Sequence, residues 1–278
     1  VRTLVRPQQR EVVARAIAAI RAQDFPTLNL DLIYGIGGQT VASFLASIDS
    51  ALAYGPEELY LYPLYVRPLT GLGKIGHRDG RTRFALQPEP LDDRAAMYRA
   101  GRERLLGAGY TQVSMRMFRA PHAPANDAGP AYCCQDDGMI GIGCGARSYT
   151  RALHYSSEYG VSRRSVAAIL EHHLALTAVD FARVDYGFAL DSDEQRRRYA
   201  IQSLLVRPGL DLDAWRVRFG SEAFEDLPQL TSLEPLGLAQ REGALLTLTD
   251  DGMARADTLG PWLVSAAVAA RMTEYALR

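Results

Sequence analysis

The sequence predicts an α/β chain, with a parallel sheet in its first half and a mostly helical second half that carries a hairpin. Three observations support this. Leu28 to Tyr34 is an apolar run that stops at Gly35 and Gly37-Gly38, and helical spacing takes over from Val41. A second strand-like run follows at Glu58 to Leu64, completing the strand–helix–strand order of parallel-sheet architecture. Near the C-terminus, Leu236 to Thr249 reads as two short strands around Arg241-Glu242-Gly243.

Taken in order, Pro7 to Gln23 is a helix. Pro7 suits its first turn, and Val13, Ile17 and Ile20 share one face. Leu28 to Tyr34 reads as a strand of the buried, parallel type. Val41 to Ala53 is a helix with Phe44, Leu45, Ile48 and Leu52 facing inward. Val66 to Pro88 is a long loop, of the kind that is usually functional or disordered. Leu91 to Ala108 is a helix, with Met97, Leu105 and Leu106 among its apolar positions. Tyr110 to Phe118 alternates as a single strand, Val113, Met115 and Met117 on one side and Gln112, Ser114 and Arg116 on the other.

Met139 to Thr150 places Gly141, Gly143, Gly145 and Ala146 close together, so backbone there must approach either a ligand or another strand. Ser165 to Val179 and Ser192 to Leu205 are helices, and Asp211 is a plausible N-cap for a short helix to Phe219. Asp250-Asp251-Gly252 precedes a final helix.

Composition bounds the partners. Of 278 residues, 47% are hydrophobic and 23% charged, ordinary for a globular protein. A formal net charge of −1 gives no global pull toward nucleic acid or anionic membrane. No apolar run is long enough to span a bilayer. Three cysteines in no framework pattern point to a reducing cytoplasm.

Asp31 is the residue most pointed at chemistry. A lone acid inside an apolar strand is costly to bury unless something polar meets it. Near the C-terminal strand ends of a parallel barrel, ligands bind. Asp31 therefore reads as a ligand contact, to a sugar hydroxyl; the alternative is an acid satisfied by backbone groups of the turn.

Four blocks resemble one family. Asn29-Leu30-Asp31-Leu32-Ile33-Tyr34-Gly35-Ile36-Gly37-Gly38-Gln39-Thr40 is similar to an N-(I/L)-D-L-(I/M)-Y-G-(L/I)-P-x-Q-T pattern, with Gly37 in place of proline. Gly55 to Leu64 resembles that family's next helix-to-strand step. Gly141-Ile142-Gly143-Cys144-Gly145-Ala146-Arg147-Ser148 resembles its G-x-G-x-G-A-x-S element. Leu205-Val206-Arg207-Pro208-Gly209-Leu210-Asp211 resembles its C-terminal signature. All four, in order, resemble the radical S-adenosylmethionine family of oxygen-independent coproporphyrinogen III oxidase and its heme-chaperone relatives.

The resemblance implies the later strands of a radical S-adenosylmethionine (β/α) barrel over 1–155. A mostly helical, winged-helix-like C-terminal domain follows over 156–278. It implies two cofactors, S-adenosylmethionine and a 4Fe-4S cluster that together generate a 5′-deoxyadenosyl radical. It also implies a tetrapyrrole-like small-molecule substrate and an external electron donor, with a non-catalytic heme or tetrapyrrole carrier as the alternative. The family's cluster is held by a C-x3-C-x2-C motif, thiolates at set spacing. Cys133, Cys134 and Cys144 do not follow it. With a start at Val1, the expectation is a C-terminal portion of a longer protein whose cluster ligands lie upstream, inactive by itself; a natural cluster-free protein is the lesser alternative.

The same resemblance assigns cofactor contacts to Arg6, Asp31, Ile33, Tyr65 and Arg147. A guanidinium fork at Arg6 suits the cofactor's carboxylate, and a cation is slightly unfavourable at a helix start, which favours a ligand role. Tyr65 stands where relatives have a small residue. Arg147 occupies the variable position of its element, to meet a carboxylate of cofactor or substrate, or else Asp136 or Asp137. Cys133-Cys134 reads as small buried hydrophobes more readily than as a redox pair. His172-His173 point two ways from a helix, one to solvent and one to the core. His77, Arg78, Arg81 and Arg83 form a cluster able to receive a polycarboxylate, or a merely soluble loop. The Asp211–Phe219 helix has Arg216 and Arg218 but also acids, a poor match to a DNA-reading helix.

Overall fold

The computed structural model describes residues 9–65, 91–124, 138–158, 160, 163–184 and 186–274. Arg6, the stretch Val66 to Pro88 with its His77, Arg78, Arg81 and Arg83, and Tyr132 to Gln135 with Cys133-Cys134 lie outside the described residues. Two compact units interleave along the chain. One comprises Val1–Ala125, Ser203–Asp211 and Ser232–Leu259; the other comprises Asn126–Gln202, Leu212–Thr231 and Gly260–Arg278.

In chain order the elements begin α1 (Arg10–Arg21), β1 (Asn29–Tyr34), α2 (Val41–Leu52), β2 (Glu58–Pro63), α3 (Leu91–Gly107), β3 (Thr111–Gln112) and β4 (Met117–Arg119). They continue β5 (Arg147–Tyr149), β6 (Leu153–Ser156), α4 (Arg163–Ala175), β7 (Tyr186–Ala189), α5 (Ser192–Leu204), β8 (Leu210–Asp211), α6 (Leu212–Phe219) and α7 (Ala223–Asp226). The last are β9 (Ala239–Glu242), β10 (Leu245–Leu248), α8 (Asp250–Ala254), α9 (Ala256–Leu263) and α10 (Ala266–Glu274).

In the first unit, β1 and β2 pair in parallel from Asn29↔Glu58 to Tyr34↔Pro63. Helix α2 is the crossover. It starts at Thr40, whose hydroxyl accepts from Ser43 N at 3.2 Å while Ser43 Oγ accepts from Thr40 N at 3.0 Å, a reciprocal cap. Phe44, Ile48 and Ala51 of α2 are buried. With Leu59, Leu61, Leu105 and Phe118, all fully buried, they belong to this unit's core. Gly101 on α3 makes the close fit possible: a Cβ there would lie 2.8 Å from Phe44 Cε1 and 3.1 Å from Ile48 Cδ1.

Three expectations for α1 to β4 are corrected. The single strand at 110–118 is two short strands, β3 and β4, paired antiparallel. Ser114 explains the reversal, its Oγ accepting from Arg116 N at 3.3 Å and Met117 N at 3.1 Å; serine competes for backbone donors in this way at turns. Strand β4 then pairs antiparallel with β2, so the sheet order is β1-β2-β4-β3. Second, β1 is not buried on both faces: Asn29, Asp31 and Ile33 are exposed and Tyr34 is buried. Third, Ile20 does not join Ile17 in the core but stays 37% exposed.

The same unit holds a second sheet, β8-β10-β9, in which β9 and β10 form the expected hairpin. In the second unit, β5, β6 and β7 form an antiparallel sheet with no counterpart in the periodicity. Trp215, fully buried, centres an aromatic cluster with Tyr199 and Phe219, ring centroids 5.9 and 4.7 Å away. The single final helix expected after Gly252 is three shorter ones, α8, α9 and α10.

Candidate functional site

The exposed face of β1 and β2 is built by strand alternation. Leu59 and Leu61 point into the core, so Glu58, Tyr60 and Tyr62 join Asn29, Asp31 and Ile33 on the other side. The parallel register sets Asn29 beside Glu58, Asp31 beside Tyr60 and Ile33 beside Tyr62. The rings of Tyr60 and Tyr62 stack at 5.9 Å with 11° between planes, giving a flat aromatic step.

Asp31 is exposed on this face and has no hydrogen-bond or ion-pair partner among the described residues. The expected burial cost is therefore avoided by exposure, not by backbone groups of the turn. Desolvation by the surrounding protein still raises its carboxyl above the ordinary value. Glu58 is raised for the same reason, with Arg119 across the β2–β4 register pulling back.

At the far end of the face, Arg116 gathers three groups. Its guanidinium carbon lies 5.4 Å from the Tyr62 ring centre and 5.7 Å from that of Tyr65, within cation–π range. It donates to the Tyr65 hydroxyl at 3.0 Å and is ion-paired with Asp257. The Tyr65 hydroxyl also donates to Asp257. Burial, then the Asp257 hydrogen bond and charge, push the Tyr65 phenol up to about 12.

The expected residues are distributed as follows. Asp31 and Ile33 sit together on β1, and Tyr65 is linked to them through Tyr62 and Arg116. Arg147 belongs to the second unit, exposed on β5, with no side-chain partner among the described residues. In its element, Gly141 N donates to the buried Ser148 Oγ at 3.0 Å. A Cβ on Gly141 would sit 2.4 Å from the Arg147 backbone oxygen. At Gly141 the close approach is therefore to another strand. Tyr60, Tyr62, Arg116 and Asp257 join the face without being among the residues the sequence points to. The Glu58-Leu59-Tyr60-Leu61-Tyr62 alternation carries the signal for the tyrosines; Arg116 and Asp257 are 141 positions apart, with no local signal.

The second unit holds a cavity of about 420 Å³ lined by Cys144, His172, His173 and Phe181 among others. As expected, the histidines diverge: His172 is exposed, and His173 is half-buried, its ring edge-on to Phe181 at 5.6 Å. Among the described residues no group of three or more His, Cys, Asp or Glu could hold a metal ion. These residues therefore do not fit a 4Fe-4S cluster. The β1–β2 face does fit a nucleoside: an unpartnered carboxylate for hydroxyl groups beside stacked rings for a base. Arg216 of α6 is held by Asp213 at 2.8 Å and Glu222 at 2.6 Å. Among the described residues no helix is long and apolar enough to cross a membrane.

No family model matches the chain. The heme chaperone HemW of Synechocystis sp. is 29% identical over 151 residues, 52% of this chain and 33% of that protein. The oxygen-independent coproporphyrinogen III oxidase of Pseudomonas aeruginosa is 24% identical over 267 residues, 89% of this chain and 54% of that protein. Among solved structures, coproporphyrinogen III oxidase (HemN) from Escherichia coli, a radical SAM enzyme, superposes with a TM-score of 0.70. That match has 20% identity and covers 94% of this chain and 60% of that one, a likeness of fold. The chain spans about a third to a half of the length of these curated relatives. In fold, and over part of its sequence, the chain is similar to proteins of one class, whose solved member is a radical S-adenosylmethionine enzyme. Within that class the chain is similar to the oxygen-independent coproporphyrinogen III oxidase and heme chaperone group, and to a part of them.

Proposed function

We propose that the exposed β1–β2 face is the S-adenosylmethionine side of a radical enzyme's active site. In this reading the first half of the chain forms the later strands of a radical S-adenosylmethionine barrel, with a winged-helix-like portion contributed by the C-terminal half. The observation that carries it is Asp31, an unpartnered carboxylate beside the stacked Tyr60 and Tyr62. Asp31 would accept from the ribose hydroxyls, Tyr60 and Tyr62 would offer a face to the adenine, and Ile33 an apolar contact. Tyr65 would act through its ring, since Asp257 and Arg116 occupy its hydroxyl. Arg147, free of a side-chain partner among the described residues, and Arg6 would meet carboxylates.

When bound with its cluster, S-adenosylmethionine supplies hydrogen-abstraction chemistry; the protein's task is to hold and orient it. Among the described residues no set of cluster ligands is found, and the part read for these residues is binding. A tetrapyrrole-like substrate is suggested by the relatives' names, an external electron donor is what the radical reading would require, and both belong to the same proposal.

Calorimetry on the whole protein, reconstituted without oxygen, tests it. Asp31→Ala weakens S-adenosylmethionine binding about tenfold, the scale of one lost charge-assisted hydrogen bond. Unchanged affinity removes Asp31 from the site. The similarity to proteins named heme chaperones supports a second reading, a heme or tetrapyrrole carrier. A Soret shift at stoichiometric heme would favour it, and its absence would discard it.

A further inference from the structure

A second cavity, about 590 Å³, lies within the first unit at the C-terminal ends of β1 and β2. Tyr34, Arg94, Tyr98, Arg99 and Asp257 are among its walls. Tyr34 alternates out of phase with Asp31 and Ile33, so it points to the opposite face of the sheet from the one assigned above to S-adenosylmethionine.

Tyr34 is 2% exposed, and its hydroxyl has no hydrogen-bond partner among the described residues. The hydroxyl is not among the sealed, unpartnered side-chain atoms, so the little of it that is exposed opens on the cavity, where a ligand or water can pair with it. Burial, then Asp257, Tyr98, Arg94 and Tyr65, act on its ionisation, and each of those four residues lines the same cavity. The hydroxyl therefore sits among the cavity's polar groups.

The cavity also holds surplus positive charge. Arg94 and Arg99 have no acid partner among the described residues. Arg94 runs across the end of β1 because Gly35 has no side chain: a Cβ there would lie 3.2 Å from Arg94 Cγ and Nε. Asp257 does not neutralise them, being held by Arg116 and Tyr65. Arg255, also on the wall, is engaged by Asp251. Pro63, Ala95, Met115 and Ala254 make most of the rest apolar, with Thr258 beside them. Guanidinium forks match planar carboxylates and phosphates, and an apolar wall with a few convergent polar groups is how small-molecule sites are built.

We propose that this cavity binds an organic anion, its carboxylate or phosphate held by Arg94 and Arg99 with the Tyr34 hydroxyl donating, its apolar body against Tyr98, Met115 and Pro63. Of the residues assigned above to S-adenosylmethionine only Tyr65 borders this cavity, and the variants that test the cavity leave Tyr65, Asp31, Ile33 and Arg147 unchanged, so the two readings fail separately.

Calorimetric titration of the chain with naphthoate, naphthyl phosphate and neutral naphthamide, at fixed ionic strength, tests it. Saturable binding of at least one anion, with none of the amide, is expected; which anion binds separates a carboxylate ligand from a phosphate one. Arg94→Gln and Arg99→Gln each weaken that binding about tenfold, and Tyr34→Phe, which keeps the buried ring, weakens it severalfold. Failure of both anions to bind, equal binding of the amide, or affinity unmoved in all three variants overturns the proposal.

Discussion

Arg21 and Glu57 clamp the first helix to the start of the sheet. Arg21 Nη1 donates to Glu57 Oε1 at 2.8 Å and to Oε2 at 2.9 Å, and Nη2 donates to the Gly55 carbonyl at 2.6 Å. Glu57 Oε2 also accepts from Leu28 N at 2.7 Å, just ahead of β1. One carboxylate thus joins α1, the entry to β1 and the entry to β2. Glu57 is only 8% exposed, so its partners are poorly replaced by water.

Glu57→Gln lowers unfolding free energy by about 1–3 kcal/mol, the penalty for an imperfectly satisfied buried charge partner. Burial pushes the Glu57 carboxyl up, but Arg21 and the Leu28 N–H outweigh it and hold the net value below the ordinary 4.5. A depressed acid stabilises the fold fully above its unfolded value and loses that contribution as pH falls through the folded value. Urea unfolding at a series of pH values below 4.5 therefore shows a steeper loss for the wild type than for Glu57→Gln. Parallel curves would show that the clamp carries no such linkage.

Gly101→Ala tests the fit of α3 against α2 and β2. Alanine normally improves a helix by about 1 kcal/mol over glycine. Here its methyl meets Phe44, Ile48 and Leu61, and overpacking costs about 1–3 kcal/mol. A lower melting temperature is expected; a higher one would mean the core yields freely at this point.

Asp257→Asn should release Tyr65. Its phenol, now pushed to about 12, falls back toward 10 once the acceptor's charge is gone. NMR of labelled tyrosine ring carbons across an alkaline titration resolves it from the other phenols. Stability changes by no more than about 1 kcal/mol, because both partners of the Arg116–Asp257 pair are about a third exposed. An unmoved Tyr65 titration would show that burial alone sets the value.

In the second unit, Asp226 accepts from Trp215 Nε1 at 2.9 Å and pairs with Arg196 at 3.0 Å. Burial raises its carboxyl, but Ser221, Trp215 and Arg196 together bring it below the usual range. Asp226→Ala leaves a buried indole N–H unpaired and should cost about 2 kcal/mol, with a change in tryptophan emission. Unaltered emission and stability would show the pairing to be incidental.

The strand–helix–strand core was legible because its signals are local and long. Thr40 caps α2, Phe44 and Ile48 repeat at helical spacing, and β1 and β2 are six residues each. Strands β3 to β8 are two to four residues long, too short to set a period, and Ser114 breaks one alternating run without changing its pattern. The site was half legible for a related reason. Asp31 stands out as an acid in an apolar run, and Tyr60 and Tyr62 follow from alternation once the buried side is known. Arg116 and Asp257 meet only through the fold, as do Tyr34 and Arg94. Interleaving of the two units belongs to the same class of fact, since segments such as Ser203–Asp211 join a unit whose main body is far away in sequence.

The alternation of β1 and β2 carries one more implication. Leu59 and Leu61 answer to the core, where changes in volume are felt throughout. Asn29, Asp31, Ile33, Tyr60 and Tyr62 answer to whatever lies on the other side. Substitutions can therefore accumulate on alternate positions of one short ribbon under two independent selections. One ligand can be exchanged for another, residue by residue, while the scaffold beneath stays foldable.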